Sequence, residues 1–206
     1  MNPFTTHKGQ AIIIDQANID TDQIIPKEHL KTIKRTGLST ALFSDWRYLP
    51  NGNNNPNFIL NTDLGKEASI LVTGDNFGCG SSREHAVWAL MQYGFSVILA
   101  PSFADIFKNN ALKNGLLLIE LDTNKLTEIK QSLAKNPHQK IEIDLINQEV
   151  KSNILTVNFS IDSFIKERLI NRLDDIDMTF QYEQSIANFE NQHDFQLKKS
   201  LKLIST

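Results

Sequence analysis

The sequence predicts an α/β protein, with a βαβαβ stretch of parallel sheet at its centre and an antiparallel ribbon at its periphery. Three observations carry that expectation. Between Ser69 and Leu121, three short apolar runs alternate with two segments of helical spacing, 82–93 and 103–114. Each of those segments ends on a glycine, Gly94 or Gly115, the residue that most readily closes a helix. Beyond Lys140 the apolar residues alternate with polar ones, the pattern of a sheet with one wet face.

In chain order, Ala11-Ile-Ile-Ile14 reads as a short buried strand. Asp20-Thr-Asp-Gln-Ile-Ile-Pro26 is an Asp-rich connection closed by proline. Lys31-Thr-Ile-Lys-Arg-Thr-Gly37 is basic, polar and stopped by glycine, so it reads as a loop. Pro50-Asn-Gly-Asn-Asn-Asn-Pro56 is turn chemistry throughout, expected to be exposed and mobile. Ser69–Thr73 is a β-rich apolar strand. Ser82–Tyr93 is helical, with Ala86, Leu90 and Tyr93 on one face. Val97–Ala100 is the next strand, Phe103–Asn114 the next helix and Leu116–Leu121 the third strand. Such alternation implies right-handed crossovers and a parallel sheet. A further helix is expected from Lys125 to Lys135. Ile141–Leu145 and Ile154–Phe159, with Asn147-Gln148 between them, form the antiparallel ribbon. Helices are expected at Asp162–Asn171 and Met178–Asn188. The chain has no internal repeat and no low-complexity linker. It reads as one domain over residues 1–190 followed by a C-terminal tail, 191–206, either loose or docked as a helix.

Composition excludes several function classes. The 206 residues are 40% hydrophobic and 22% charged, ordinary for a globular protein. A formal charge of −3 provides no basic field for nucleic acid. No apolar run approaches a membrane span, and the first ten residues lack the core of a signal peptide. One cysteine, Cys79, excludes an internal disulfide. A cytoplasmic chain is the expectation. His7, His29, Cys79, His85, His138 and His193 are scattered, with no CxxC or HxxxH pair. A self-contained zinc or iron–sulfur site needs three or four close ligands. No metal is therefore expected in this chain, and any that takes part belongs to another.

The most chemically specific segment is Gly74-Asp-Asn-Phe-Gly-Cys-Gly-Ser-Ser-Arg-Glu-His-Ala-Val-Trp-Ala-Leu90. It lies where an apolar strand gives way to a helix. Backbone N–H groups and the positive end of the helix dipole there suit an anion. Nucleotide and hydrolase motifs fail in turn. Gly78-Cys-Gly80 begins a GxGxxG pattern, but Arg83 occupies the third glycine position. No lysine follows at P-loop spacing, and neither serine has the GxSxG frame. Gly78 and Gly80 permit positive φ. Arg83 offers a planar fork to a carboxylate. A serine hydroxyl acts as a base only if its alkoxide is stabilised, and one oriented donor at a developing oxyanion is worth roughly 3–4 kcal/mol. The competing reading is an ordinary helix cap, with Ser81 as N-cap, Glu84 completing a capping box and Arg83 solvated.

Gly78-Cys-Gly-Ser-Ser-Arg-Glu-His-Ala86 resembles the signature of the swivelling domain of the aconitase superfamily. Asp20–Pro26, Phe43-Ser-Asp-Trp-Arg47 and Ala100-Pro-Ser-Phe-Ala-Asp-Ile-Phe107 are similar to segments of bacterial 3-isopropylmalate dehydratase small subunits. The match runs in order from about Ile12 to Phe189. The resemblance implies a swivelling β/β/α fold and a heterodimer with a large subunit that carries a [4Fe-4S] cluster on three cysteines. It implies interconversion of 2-isopropylmalate and 3-isopropylmalate through 2-isopropylmaleate, in leucine biosynthesis. Carried over residue by residue, it makes Ser81 the general base and Arg83 a substrate-carboxylate arginine. Ser82 becomes a hydroxyl beside the substrate, and Arg35 a second substrate arginine across an alignment gap. Leu30, Thr32 and Ile33 fall in the loop expected to border the substrate's variable group, with plain packing of a short helix as the alternative for Leu30 and Ile33. Cys79 and His85 read as structural residues. Asp20 and Asp22 read as a turn that caps and braces the site.

Two further functions compete with this one. The same architecture could serve a related dehydratase acting on citramalate/citraconate or homoaconitate. Alternatively, a non-catalytic carboxylate-binding assembly module would keep Arg83 but not depend on Ser81.

Overall fold

The computed structural model describes residues 3–31, 36–171, 173, 175–180 and 182–192. Its first strand, β1 (Thr6–Ile14), runs into two one-turn helices, α1 (Thr21–Ile24) and α2 (Ser44–Arg47). A third short helix, α3 (Asp63–Lys66), precedes β2 (Ala68–Thr73). Then come α4 (Glu84–Tyr93), β3 (Val97–Ala100), α5 (Asp105–Asn114), β4 (Leu117–Glu120) and α6 (Thr123–Lys135). Strands β5 (Lys140–Asp144), β6 (Glu149–Lys151) and β7 (Thr156–Asn158) lead to α7 (Ser163–Asn171). Two compact units result, Met1–Arg172 and Leu173–Thr206. The second contains α8 (Asp175–Phe180) and α9 (Glu183–Gln192).

The seven strands form one mixed sheet in the order β4-β3-β2-β1-β5-β6-β7. Strands β1 to β4 are mutually parallel, and β5 to β7 continue antiparallel from β1. Burial explains why the parallel strands read as continuous apolar runs. In β2, Leu71 faces one hydrophobic cluster while Ile70 and Val72 face another. In β3, Ile98 and Ala100 face the first, Val97 and Leu99 the second. The first cluster packs the sheet against α4 and α5 through Ala86, Leu90, Phe107 and Ala111. The second packs it against α6 and α7 through Leu126, Ile129, Leu133 and Leu169. Among the described residues no helix is long and apolar enough to cross a membrane.

Several boundaries differ from the sequence reading. Strand β1 starts five residues before Ala11, because Thr6–Gln10 pairs with β5, a partner invisible to local pattern. The ribbon strands around Ile141–Leu145 and Ile154–Phe159 do not pair directly. Gln148 takes a left-handed φ of 56° and Asp144 accepts the Asn147 N–H at 2.9 Å, so the chain reverses at once and β6 intervenes. The expected helix Met178–Asn188 falls across α8 and α9, with a turn at Tyr182, whose N–H donates to the Thr179 carbonyl at 2.9 Å, before the second. Most of the expected tail, 193–206, lies outside the described residues.

Candidate functional site

Three loops leave the carboxyl ends of β1, β2 and β3 side by side. The middle one, residues 74–83, is clamped from both sides. Toward the β1 loop, Asn18 N–H donates to the Asp75 carbonyl, Gly78 N–H to Ile19 and Thr21 N–H to Cys79, at 2.8–2.9 Å. Toward the β3 loop, Phe77 N–H donates to the Ser102 carbonyl at 3.2 Å and Ala104 N–H to Phe77 at 3.0 Å. Ser102 Oγ accepts from Asn76 N–H at 2.9 Å and donates to the Asp75 carboxylate. The Phe77 ring is fully buried and packs edge-on against Phe103 and Phe107. Gly78 and Gly80 take φ of +77° and +87°, the left-handed region that favours glycine.

The backbone N–H groups of the flanks are bonded, whereas those of the tip are open. Gly80, Ser81 and Ser82 are exposed. Their N–H groups make no hydrogen bond to other described residues. The helix begins two residues later than the sequence reading placed it. Arg83 is the N-cap of α4, with φ −130° and ψ 101°, and makes no side-chain cap. The Ser81–Glu84 capping box therefore does not form, and the Glu84 carboxylate accepts from Asn114 Nδ2 at 2.8 Å instead. Asn114 Oδ1 also accepts from Trp88 Nε1 at 2.9 Å, which ties α4 to the end of α5.

Helix α1 braces the tip. Asp20 caps it in a reciprocal box with Gln23: Gln23 N–H donates to Asp20 Oδ1 at 2.7 Å, and Asp20 N–H to Gln23 Oε1 at 2.9 Å. Thr21 Oγ1 donates to the Ser81 carbonyl at 2.9 Å. Asp22 forms an ion pair with Arg83 through Nη1. Arg83 Nη1 also donates weakly to the Ile25 carbonyl at 3.5 Å. The Asp20–Asp22 turn caps and braces, as the sequence suggested, but Thr21 and the Phe77 anchor went unnoticed. A buried threonine between two acids, and a phenylalanine ahead of the glycines, were the available signals.

The structure thus sets the exposed Ser81 and Ser82 beside the partly buried Arg83 at one rim. Leu30 is partly buried and packs against the first hydrophobic cluster. Thr32, Ile33 and Arg35 lie outside the described residues. Burial, and secondarily the Asp20 charge, pushes the Cys79 thiol above its usual pKa, so it is a neutral thiol at pH 7. His85 lies 4.7 Å from the Trp88 ring, centroid to centroid. Among the described residues no group of three His, Cys, Asp or Glu side chains could hold a metal ion. An open cavity of about 700 Å³ is lined by His29, Thr40, Ser44, Asp45 and Tyr48 rather than by Ser81 or Ser82.

Residues 1–124 match the family model of the aconitase C-terminal domain. The 3-isopropylmalate dehydratase small subunit of Shouchella clausii is 53% identical over 191 residues, covering 93% of this chain and 96% of that one. That of Bacillus thuringiensis is 52% identical over 191 residues, covering 92% and 97%. The chain belongs to the family of 3-isopropylmalate dehydratase small subunits. A crystal structure of 3-isopropylmalate dehydratase from Methanocaldococcus jannaschii superimposes with a TM-score of 0.65 at 26% identity, over 89% of this chain and 98% of that one. The fold agrees with the swivelling β/β/α domain expected from the motifs.

Proposed function

We propose that this chain is the small subunit of a heteromeric hydro-lyase that interconverts 2-isopropylmalate and 3-isopropylmalate through 2-isopropylmaleate, in leucine biosynthesis in the cytoplasm. The observation that carries the proposal is similarity along nearly the whole length to small subunits of that name. The rim geometry supports the division of labour. Ser81 Oγ removes the proton from the carbon beside a substrate carboxylate. The C–H electron pair becomes the C=C bond and the hydroxyl leaves; water then adds with the opposite regiochemistry. The unbonded N–H groups of Gly80, Ser81 and Ser82, at the approach to α4, are suited to stabilise the serine oxyanion. Arg83 holds a carboxylate, with Ser82 beside it and Arg35 as a second clamp. Leu30, Thr32 and Ile33 border the isopropyl group.

The described residues do not fit a [4Fe-4S] cluster: the chain has a single cysteine, and no group of three His, Cys, Asp or Glu side chains lies together among them. The cluster is assigned to the large subunit, the proposed partner. The two exposed serines on an open rim are then one wall of a site that the partner closes.

The test is anaerobic reconstitution with the large subunit and assay against 2-isopropylmalate, citraconate and cis-homoaconitate. Turnover of 2-isopropylmalate by the complex alone is expected. Preference for either other substrate would reassign the specificity. Full turnover by a reconstituted Ser81→Ala complex would leave only a carboxylate-binding module.

A further inference from the structure

We infer that Asp22 is a positioning residue for Arg83, so that one turn of helix, α1, sets the attitude of the carboxylate clamp; the inference rests on the role proposed above for Arg83. An arginine side chain has more rotamer freedom than almost any other. Left loose at a helix start, it would have to be ordered each time a substrate binds. Here its side chain is only 14% exposed and is held at its far end. Both of its polar contacts, to the Asp22 carboxylate and the Ile25 carbonyl, run through Nη1. Among the described residues the Arg83 side chain makes no other polar contact. The Nε and Nη2 donors, which form a side-on fork matched to a carboxylate, are left for an incoming ligand.

The holder is itself held. Asp22 stands on α1 between the capping box of Asp20 and Gln23 and the Ile25 N–H bond back to Thr21. The preceding residue, Thr21, is bonded to Cys79 through its backbone and to Ser81 through its hydroxyl. Consecutive residues of one turn thus reach the carbonyl of Ser81 and the guanidinium of Arg83. The spacing between the proposed base and the proposed clamp is set from outside their own loop.

A rival arrangement would have Asp22 compete with substrate for Arg83, and the two make opposite predictions. The experiment uses the complex reconstituted with the large subunit and compares Asp22→Ala, Asp22→Asn, Arg83→Lys and the Asp22→Ala/Arg83→Lys double variant, with 2-isopropylmalate as substrate. Asp22→Ala should raise KM on the order of tenfold with kcat within about twofold, the effect of losing one charge-assisted bond at a half-exposed site. Asp22→Asn keeps an acceptor oxygen and should fall between. In the Arg83→Lys background, Asp22→Ala should add less than about a twofold further change, because its effect passes through the guanidinium. A fall in KM, an unchanged KM, or fully multiplicative effects would overturn the inference. Unfolding midpoints and co-elution with the large subunit check the fold, and Asp22→Asn carries the test where Asp22→Ala does not fold. If Arg83→Lys itself leaves KM unchanged, the role of Arg83 fails. If Arg83→Lys raises KM and Asp22→Ala does not, only the positioning role fails.

Discussion

A methyl group added at Gly78 or at Gly80 should separate two costs that the 74–83 loop carries. Both glycines have left-handed φ, so alanine at either suffers about 1–2 kcal/mol of backbone strain. Stiffening of the unfolded chain returns about 0.4–1 kcal/mol of that. The surroundings then differ. At Gly80 the new Cβ would lie 3.3 Å from Asp20 Cβ, a tight contact that an exposed loop can relieve. At Gly78 it would lie 2.6 Å from Phe107 Cδ2 and 2.7 Å from Phe107 Cβ, with Cγ nearer still. Phe107 is 2% exposed and wedged against Phe77 with centroids 5.3 Å apart, so it cannot turn aside. Overpacking of that kind adds about 1–3 kcal/mol. Gly78→Ala should therefore destabilise by about 3 kcal/mol and Gly80→Ala by about 1 kcal/mol. Urea denaturation of the two variants reads the difference directly, provided the slope m is unchanged. Equal losses, or a larger loss at Gly80, would refute the claim that Phe107 packs against the loop backbone at Gly78.

Ser81→Ala should lower kcat of the reconstituted complex by about 10²–10⁴-fold, the span attributed to positioned proton transfer. Because Ser81 is exposed and its side chain makes no hydrogen bond to other described residues, the unfolding free energy should change by less than about 0.5 kcal/mol. Asn114→Ala should destabilise by about 1–2 kcal/mol in urea titration, since its amide joins Glu84 and Trp88 of α4 to the end of α5. The His7 ring shares a 2.8 Å hydrogen bond with Ser69 Oγ, and burial holds its pKa below the usual value. The fold thus favours the neutral ring. Its contribution is fully present above about pH 6.5, the unfolded value, and is lost as pH falls through the lower folded value. His7→Gln should flatten the fall in unfolding free energy between about pH 7.5 and pH 5, and an unaltered slope would exclude His7 as its source.

The central βαβαβ unit was legible because its strands are buried on both faces and its helices end on glycines that take positive φ, Gly94 at 129° and Gly115 at 82°. Local pattern was enough there. It failed wherever a distant partner decided the outcome. Thr6–Gln10 has no strand signature of its own and becomes one through pairing with β5. Glu84 looked like half of a capping box, yet Asn114, thirty residues away, takes its carboxylate. The candidate site shows the same division. The residue types and order of Ser81, Ser82 and Arg83 were readable, while the bracing by Thr21 and Asp22 depends on a contact across some sixty residues of chain.

That bracing bears on why the proposed base would be silent in the isolated chain. A serine alkoxide in open water is a far stronger base than the hydroxyl, and correspondingly costly to form. Oriented donors lower that cost mainly where water is excluded and the local dielectric is low. The loop concentrates its own hydrogen bonds on its flanks, at Asp75–Cys79, and leaves the tip at Gly80–Ser82 exposed with its N–H groups unbonded. A tip built that way is ordered before anything binds, so closure by a partner need supply no folding of the loop, only dehydration and the opposite wall. Under the proposed function, association should therefore raise activity from none without rearranging residues 74–83. Hydrogen exchange of the Phe77 and Gly78 amides, already bonded in the free chain, should be unchanged on complex formation, whereas the amides of Gly80, Ser81 and Ser82 should gain protection. Equal protection along the whole loop would mean that the partner folds it, and that the bracing from α1 is a consequence of assembly rather than its starting point.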